Sequence, residues 1–218
     1  MAANIHIVAG GPLENVPDLK SCAESENVSW IGCDRGVVHL LQLGIVPDMA
    51  FGDFDSVNAE EWRTIQNTLT NIKKFKPEKD ETDLELALLW AIRQNPRAIK
   101  IFGATGGRAD HALTNMMLLT HEKALEYHGM IEIIDRMNRI SVCQPGIYTI
   151  GSLQTHPYIS FLPITATVEN LTLSGFKYPL QDRKVYRGST LCISNELIRD
   201  FGTFSFTDGI LMMIRSHD

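Results

Sequence analysis

The chain has 218 residues, enough for one large domain or two small ones. With 44% hydrophobic and 21% charged residues it has an ordinary globular composition, and no apolar stretch is long enough to span a bilayer. A formal net charge of -6 speaks against a broad nucleic-acid surface.

The N-terminus, MAANIHIVAGGP, has no basic n-region and runs straight into a strand-like segment, so no signal peptide is expected. Residues 5–9 read as a strand ending at Gly10-Gly11-Pro12, and a polar segment over 15–27 has weak helical spacing. Residues 28–32 form a second predicted strand, ending at Cys33-Asp34-Arg35-Gly36. A helix over 37–43 is stopped by Gly44. Residues 49–51 are a third strand that enters Gly52-Asp53-Phe54-Asp55-Ser56. Asn58, with Glu61 three residues on, predicts a capped helix to about residue 69. Residues 72–75 are a fourth strand, ending in Lys76-Pro77-Glu78-Lys79-Asp80. Strong helix formers fill 82–94, with Leu84, Ala87, Leu88 and Ala91 as the core face. A fifth strand at 98–102 ends in Gly103-Ala104-Thr105-Gly106-Gly107-Arg108-Ala109-Asp110, and 111–128 reads as one helix. Strands are expected at 130–134 and 139–143.

Strands alternating with helices predict a mostly parallel, Rossmann-like α/β sheet domain. After Gln144-Pro145-Gly146 the segments become short and strand-like: 148–150, 158–162, 166–173, 186–193, 201–206 and 210–215. That spacing predicts an antiparallel β-sandwich. The expected organisation is therefore 1–144 followed by 145–218.

Asp53 and Asp55 carry the first chemical signal. If the strand pitch continues past Gly52, the two side chains point the same way. Carboxylates aimed at one spot repel unless a cation lies between them, and Mg2+ takes carboxylate and phosphate oxygens together. Gly-Asp and Asp-Ser also read as a plain turn. Placement weighs between the two readings. Gly10-Gly11, Asp34, Asp53, Asp55, Asp80 and the 103–110 loop all follow strands, and in a parallel sheet these points share the edge where ligands bind. Together they make an acidic, glycine-bordered cleft suited to metal and phosphate.

The neighbouring residues keep two readings each. Asp80 and Asp83 either complement a helix dipole or, for Asp80, supply a third metal ligand. The glycines of 103–107 let backbone N–H groups approach phosphate oxygens, although the loop is neither G-x-G-x-x-G nor a Walker A sequence. Arg108 is a surface cation or a partner for phosphoryl charge. Asp110-His111 is a cap with a surface histidine, or joins the site with Asn115 one turn on. Asp34-Arg35 is a turn or a nucleotide contact. His39, His121, His128 and His217 read as peripheral. Cys22, Cys33, Cys143 and Cys192 have no paired spacing and fit reduced thiols in a cytosolic protein. No His-x3-His pair supports zinc, and no G-x-S-x-G elbow is present.

Taken in order, Cys33-Asp34-Arg35-Gly36, Pro47-Asp48, Gly52-Asp53-Phe54-Asp55-Ser56, Lys79-Asp80-Glu81-Thr82-Asp83 and Gly106-Gly107-Arg108-Ala109-Asp110-His111 with Asn115 resemble the thiamine pyrophosphokinases. Ser194-Asn195-Glu196 and Gly209-Ile210-Leu211 are similar to the bacterial branch. The resemblance covers nearly the whole chain. It implies a catalytic α/β domain, a thiamine-binding and dimerising β-sandwich, a homodimer, and the reaction of ATP with thiamine to give AMP and thiamine diphosphate. It implies an Mg2+–ATP site at Asp53, Asp55 and Asp80. Asp34, Arg35, Gly106, Gly107, Arg108, His111 and Asn115 become nucleotide or phosphate neighbours, and Asp83, Arg108 and Asp110 join the catalytic set. Ser194, Asn195 and Leu197 become part of the thiamine pocket. Two positions depart from the family pattern. Some relatives place an aromatic soon after the Ser-Asn pair, where this chain has Glu196-Leu197-Ile198, and glutamine is common where Lys79 stands.

The residues fit that chemistry on their own terms. A hydroxyl must attack the β-phosphorus with AMP leaving, which needs positioning, charge neutralisation and a weak base. An acidic cleft also suits a cationic thiazolium. Asp83 and Asp110 are alternatives for orienting or deprotonating the hydroxyl. Two readings of other classes use the same residues: a metal-dependent nucleotide phosphohydrolase, with water as nucleophile, and a non-catalytic nucleotide-binding regulator. No nucleic acid or membrane is expected as a partner.

Overall fold

The short apolar runs of the first half of the chain lie side by side in one parallel sheet. The computed structural model describes residues 4–23, 27–76, 78 and 80–218. In chain order the first unit contains β1 (Asn4–Val8), α1 (Leu19–Ala23), β2 (Val28–Cys33), α2 (Arg35–Gln42), β3 (Met49–Gly52) and α3 (Ala59–Thr68). It continues with β4 (Ile72–Lys74), α4 (Asp83–Arg93), β5 (Ala98–Phe102), α5 (Ala109–Met117), α6 (Glu122–Glu126) and β6 (Met130–Ile134). The strands run parallel in the order β4-β3-β2-β1-β5-β6. Ile5, Ile7, Val8, Ile31, Ile99, Ile101 and Phe102 are buried, as expected where helices cover both faces of the sheet.

The strand order has one consequence for function. From β1 the chain builds outward through β2, β3 and β4, then returns to place β5 and β6 on the other side of β1. The reversal lies between β1 and β5, and the crevice at the carboxyl ends of such a pair is where open α/β sheets take ligands. Gly10-Gly11 leaves β1 there and the 103–108 loop leaves β5.

Local chemistry fixes the helices. Asn58 caps α3 through a reciprocal box: its side chain accepts from Glu60 and Glu61 N–H, and the Glu61 carboxylate accepts from Asn58 N–H. Thr82 caps α4 by accepting from Glu85 N–H. The single helix expected over 111–128 is broken. α5 ends at Met117, a 3-10 turn covers Leu118–Thr120, and His121 Nδ1 accepts from Lys123 N–H to start α6. The Thr120 hydroxyl donates to Met117 O at 2.7 Å, a side-chain bond that competes with helix continuation. The polar segment over 15–27 becomes a 3-10 turn, Leu13–Asn15, followed by α1.

The second unit is all antiparallel: β7 (Asn138–Cys143), β8 (Gly146–Gly151), β9 (Tyr158–Pro163), β10 (Thr167–Ser174), β11 (Leu180–Tyr186), β12 (Phe201–Phe206) and β13 (Leu211–Ser216). One sheet has the order β7-β13-β9 and the other β11-β10-β12-β8. Their inner faces share one core. Cys143, Ile159, Phe161 and Leu211 come from the first sheet, and Val168, Leu171, Leu173, Val185, Phe204 and Phe206 from the second. Tyr148 stacks on Phe204 with centroids 4.7 Å apart.

One expectation changes here. The strand read at 186–193 is displaced: β11 is Leu180–Tyr186, and the chain turns after it, with Gly188 at φ 85 and Ser189 N–H donating to Tyr186 O. The two compact units are Met1–Arg136 and Met137–Asp218, and β7 pairs along its length with β13.

Candidate active site

The acids at the strand ends come together through backbone turns that a strand pattern does not encode. Asp34 begins α2 with φ 47, its N–H donates to Phe51 O at 2.9 Å, and its Oδ1 accepts from Phe54 N–H at 3.3 Å. Gly52 makes that approach feasible, since a Cβ there would lie 2.1 Å from Asp34 Oδ1. β3 stops at Gly52, and Phe54 adopts φ 62. Its ring is buried with its centroid 4.8 Å from that of Trp62. Strand alternation therefore ends before Asp53. Asp53 Oδ1 accepts from Asp55 N–H at 3.0 Å, an Asx-type turn, so the expectation that one pitch aims both carboxylates alike does not hold. Asp83 opens α4.

One carboxylate oxygen from each of Asp34, Asp53 and Asp83 lies within 4.8 Å of the others. The electrostatic result falls on Asp34. Burial, then the negative charge of Asp83, push its carboxyl up to about 7, with Asp53 adding and the Phe54 N–H opposing. Asp55 and Asp80 follow the same two strand ends but are exposed and outside this trio. Pro77 and Lys79 lie outside the described residues. Arg35 braces the turn after Asp55: its guanidinium donates to Ser56 O at 3.0 Å and pairs with Glu61 at 3.3 Å. His39, expected at the periphery, is buried on α2, and burial with the nearby Arg35 charge lowers its pKa. Asp48 is structural, accepting from Ser29 Oγ and Trp30 N–H at 2.8 Å to tie β2 to the start of β3.

Across the switch point, Gly11 N–H donates to Gly103 O at 2.9 Å, and Asn115 Nδ2 donates to Ala104 O at 2.8 Å. Asn115 is thus a support of the loop from α5. Gly106 and Gly107 are exposed with φ 80 and 64. Arg108 and Asp110 are both exposed and paired, Nε to Oδ1 at 3.1 Å and Nη2 to Oδ2 at 2.6 Å. That hydrogen bonding, with one from His111 N–H, holds the Asp110 carboxyl down at about 2. His111 itself is exposed.

In the second unit, Ser194 is exposed at φ 53, and its N–H donates to Ser160 Oγ at 2.9 Å. Asn195 is 2% exposed. Its Oδ1 accepts from Tyr178 N–H at 3.0 Å and Glu196 N–H at 2.9 Å, while Nδ2 donates to Tyr178 O at 2.8 Å. Leu197 is half-buried and packs on the sandwich core. Tyr178, which the sequence does not single out, is 56% exposed, with Lys177 Nζ 5.7 Å from its ring centroid and Lys177 paired to Glu196 at 2.6 Å. Its only local signal is an aromatic beside Pro179, well upstream of the Ser-Asn pair.

Comparison with known proteins follows the same division. The family model "Thiamin pyrophosphokinase, catalytic domain" matches residues 21–130, and "Thiamin pyrophosphokinase, vitamin B1 binding domain" matches residues 147–211. The chain is 50% identical over 214 residues to the thiamine pyrophosphokinase of Bacillus subtilis (strain 168), covering 98% of this chain and 99% of that protein. The crystal structure of thiamine pyrophosphokinase from Bacillus subtilis matches with a TM-score of 0.92 at 49% identity over 99% of each chain. That of thiamin pyrophosphokinase from Geobacillus thermodenitrificans matches with a TM-score of 0.89 at 50% identity, over 99% of this chain and 98% of that one.

Proposed function

The chain belongs to the thiamin pyrophosphokinase family, and on that premise we propose how its residues divide the work. The enzyme transfers pyrophosphate from ATP to the hydroxyl of thiamine, giving thiamine diphosphate and AMP. The thiamine hydroxyl oxygen bonds to the β-phosphorus and gives up its proton to solvent, the bond from that phosphorus to the α–β bridging oxygen breaks, and AMP leaves with that oxygen.

Enzymes of this kind use a divalent metal. The donor set here fits one: three carboxylate oxygens crowd within 4.8 Å, and the Asp34 carboxyl is raised by burial and then by the negative charge of Asp83, the part that a hard dication would relieve. We assign Mg2+ to this group, held by Asp34, Asp53 and Asp83. Asp53 is shared with the set Asp53, Asp55 and Asp80 that the family resemblance implies, and Asp55 and Asp80 extend the acidic rim from the ends of β3 and β4. Bound there, the ion supplies neutralising charge to the phosphates.

The remaining roles belong to the chain's own groups. Gly106 and Gly107 offer backbone N–H groups to phosphate oxygens, with Arg108 as the cation and His111 and Asn115 on the helix that follows. Arg35 steadies the acidic turn beside the nucleotide. Asp110 is taken up by its pairing with Arg108, so Asp83 is assigned to orient the hydroxyl. Ser194, Asn195 and Leu197 frame the thiamine pocket, Asn195 by holding the Tyr178 turn. Residues 1–144 bind Mg2+–ATP and 145–218 bind thiamine and dimerise. A homodimer is supported by the outer face of the β8–β12 pair, where Ile147 is 84% and Phe201 64% exposed. A cytoplasmic location is supported by Cys143 and Cys192, which are buried thiols outside any disulfide. No helix of the described residues is long and apolar enough to cross a membrane.

The carrying observation is the meeting of three carboxylates beside a parallel-sheet switch point bordered by a glycine loop. The test is to incubate the protein with ATP, Mg2+ and thiamine. AMP released only when thiamine is present supports the reading. Phosphate released without thiamine identifies a phosphohydrolase, and neither product identifies a regulator.

A further inference from the structure

We propose that Asp135 is a positioning residue for the loop that takes the nucleotide phosphates, acting through Thr105. The inference rests on the reading of residues 103–108 as that loop. Glycine-rich backbone loses more freedom on ordering than any other, so a loop that presents N–H groups in fixed directions must be held from outside. Thr105 stands in the middle of the sequence, and it is 6% exposed. Its Oγ1 donates to Asp135 Oδ2 at 2.6 Å, and Asp135 is 7% exposed. A hydroxyl-to-carboxylate bond of this length belongs to the charge-assisted class. Asp135 follows β6, the strand paired with β5, from whose end the loop departs.

Three consecutive loop residues are thus fixed by three different elements. Gly103 O is held by Gly11 after β1, Ala104 O by Asn115 on α5, and the Thr105 hydroxyl by Asp135 after β6. The next two residues, Gly106 and Gly107, are exposed. The arrangement is a clamped stem followed by a presenting tip, and the Thr105–Asp135 bond is the clamp nearest the tip.

Thr105→Val removes the hydroxyl and keeps the shape. In steady-state assays of thiamine-dependent AMP release by the full chain, kcat/KM for ATP is expected to fall about 5- to 30-fold, the effect of a bond worth one or two kcal/mol. KM for thiamine is expected to move by less than about twofold, and Thr105→Ser to restore kcat/KM for ATP. Asp135→Asn keeps an acceptor and loses its charge, so a smaller fall in the same parameter is expected. That variant carries the test should Thr105→Val melt below assay temperature. Folded variants with unchanged kcat/KM for ATP would overturn the proposal, as would an equal loss toward both substrates or a Thr105→Ser enzyme as damaged as Thr105→Val. Arg108→Ala separates the two layers. If it leaves ATP kinetics unchanged, the loop reading fails and the proposal with it; if it weakens ATP use while Thr105→Val does not, the clamp alone is refuted.

Discussion

Asn195 offers the sharpest test of the second unit, because a pocket residue and a structural residue fail in different ways. Its amide is 2% exposed and makes three side-chain hydrogen bonds, to Tyr178 N–H, Tyr178 O and Glu196 N–H. Asn195→Ala strands three backbone groups at once. At about 1 kcal/mol for each bond, the variant loses roughly 3 kcal/mol of stability. With a urea dependence of about 1–3 kcal/mol per molar, the unfolding midpoint moves down by roughly 1–3 M. Asn195→Asp keeps Oδ1 as acceptor but sets a second carboxylate oxygen against Tyr178 O in a buried site, so it should be no milder than Asn195→Ala. Urea melts followed by far-UV circular dichroism, run beside thiamine titrations, make the measurement. The thiamine KM should rise together with the loss of stability, because both follow from a loosened Tyr178 turn. An Asn195→Ala protein with an unchanged midpoint and lost thiamine binding would refute the reasoning: the amide would then serve the ligand directly.

The other expectations concern the first unit. Asp53→Ala and Asp83→Asn should lower kcat on the order of 100-fold or more while circular dichroism stays native, and near-normal turnover in either variant would remove it from the site. Arg108→Ala should lower kcat more than it raises the thiamine KM, since its charge matters most as phosphate charge shifts; a raised thiamine KM at unchanged kcat would move Arg108 elsewhere. Asp34, raised from 3.8 to about 7, keeps its proton longer in the folded state, so metal-free protein should lose stability as pH rises through that window. Asp34→Asn should flatten this slope, and a slope that persists in the variant assigns it to another group. His6 acts in the opposite sense. Buried between Trp30 and Phe102 and facing Lys100 across the β1–β5 pair, it is pushed down from 6.5 to about 4. The unfolded chain takes up the proton first, so stability falls by up to roughly 3 kcal/mol as pH drops through that interval. His6→Leu should abolish that acid-side loss, and urea melts at several pH values report it.

The strands before each acid were legible because buried apolar runs between glycine and polar punctuation have few other readings. The Asn58–Glu61 box was legible because both partners are local. The grouping of the acids was not. It depends on a left-handed Phe54, a residue type that rarely adopts such a turn, and on the missing Cβ of Gly52 beside an aspartate from another strand. β11 was misplaced because it is the outer strand of its sheet and carries Gln181, Asp182, Arg183 and Lys184, which hide its alternation. Tyr178 was invisible for the same kind of reason: its bond to Asn195 joins residues that only the folded sandwich brings together.

Phe54 ties the acidic turn to the fate of a helix. Its ring and Trp62 belong to a small core built from α2, α3, β3 and the start of the edge strand β4, which pairs through three residues only. Such a margin opens at a lower free energy than the centre of a sheet. Whenever α3 peels away, Phe54 loses its packing, the left-handed turn relaxes, and Asp53 swings off its partners in the same event. With Asp53 in the role proposed for it, activity on warming should disappear before the sheet itself melts.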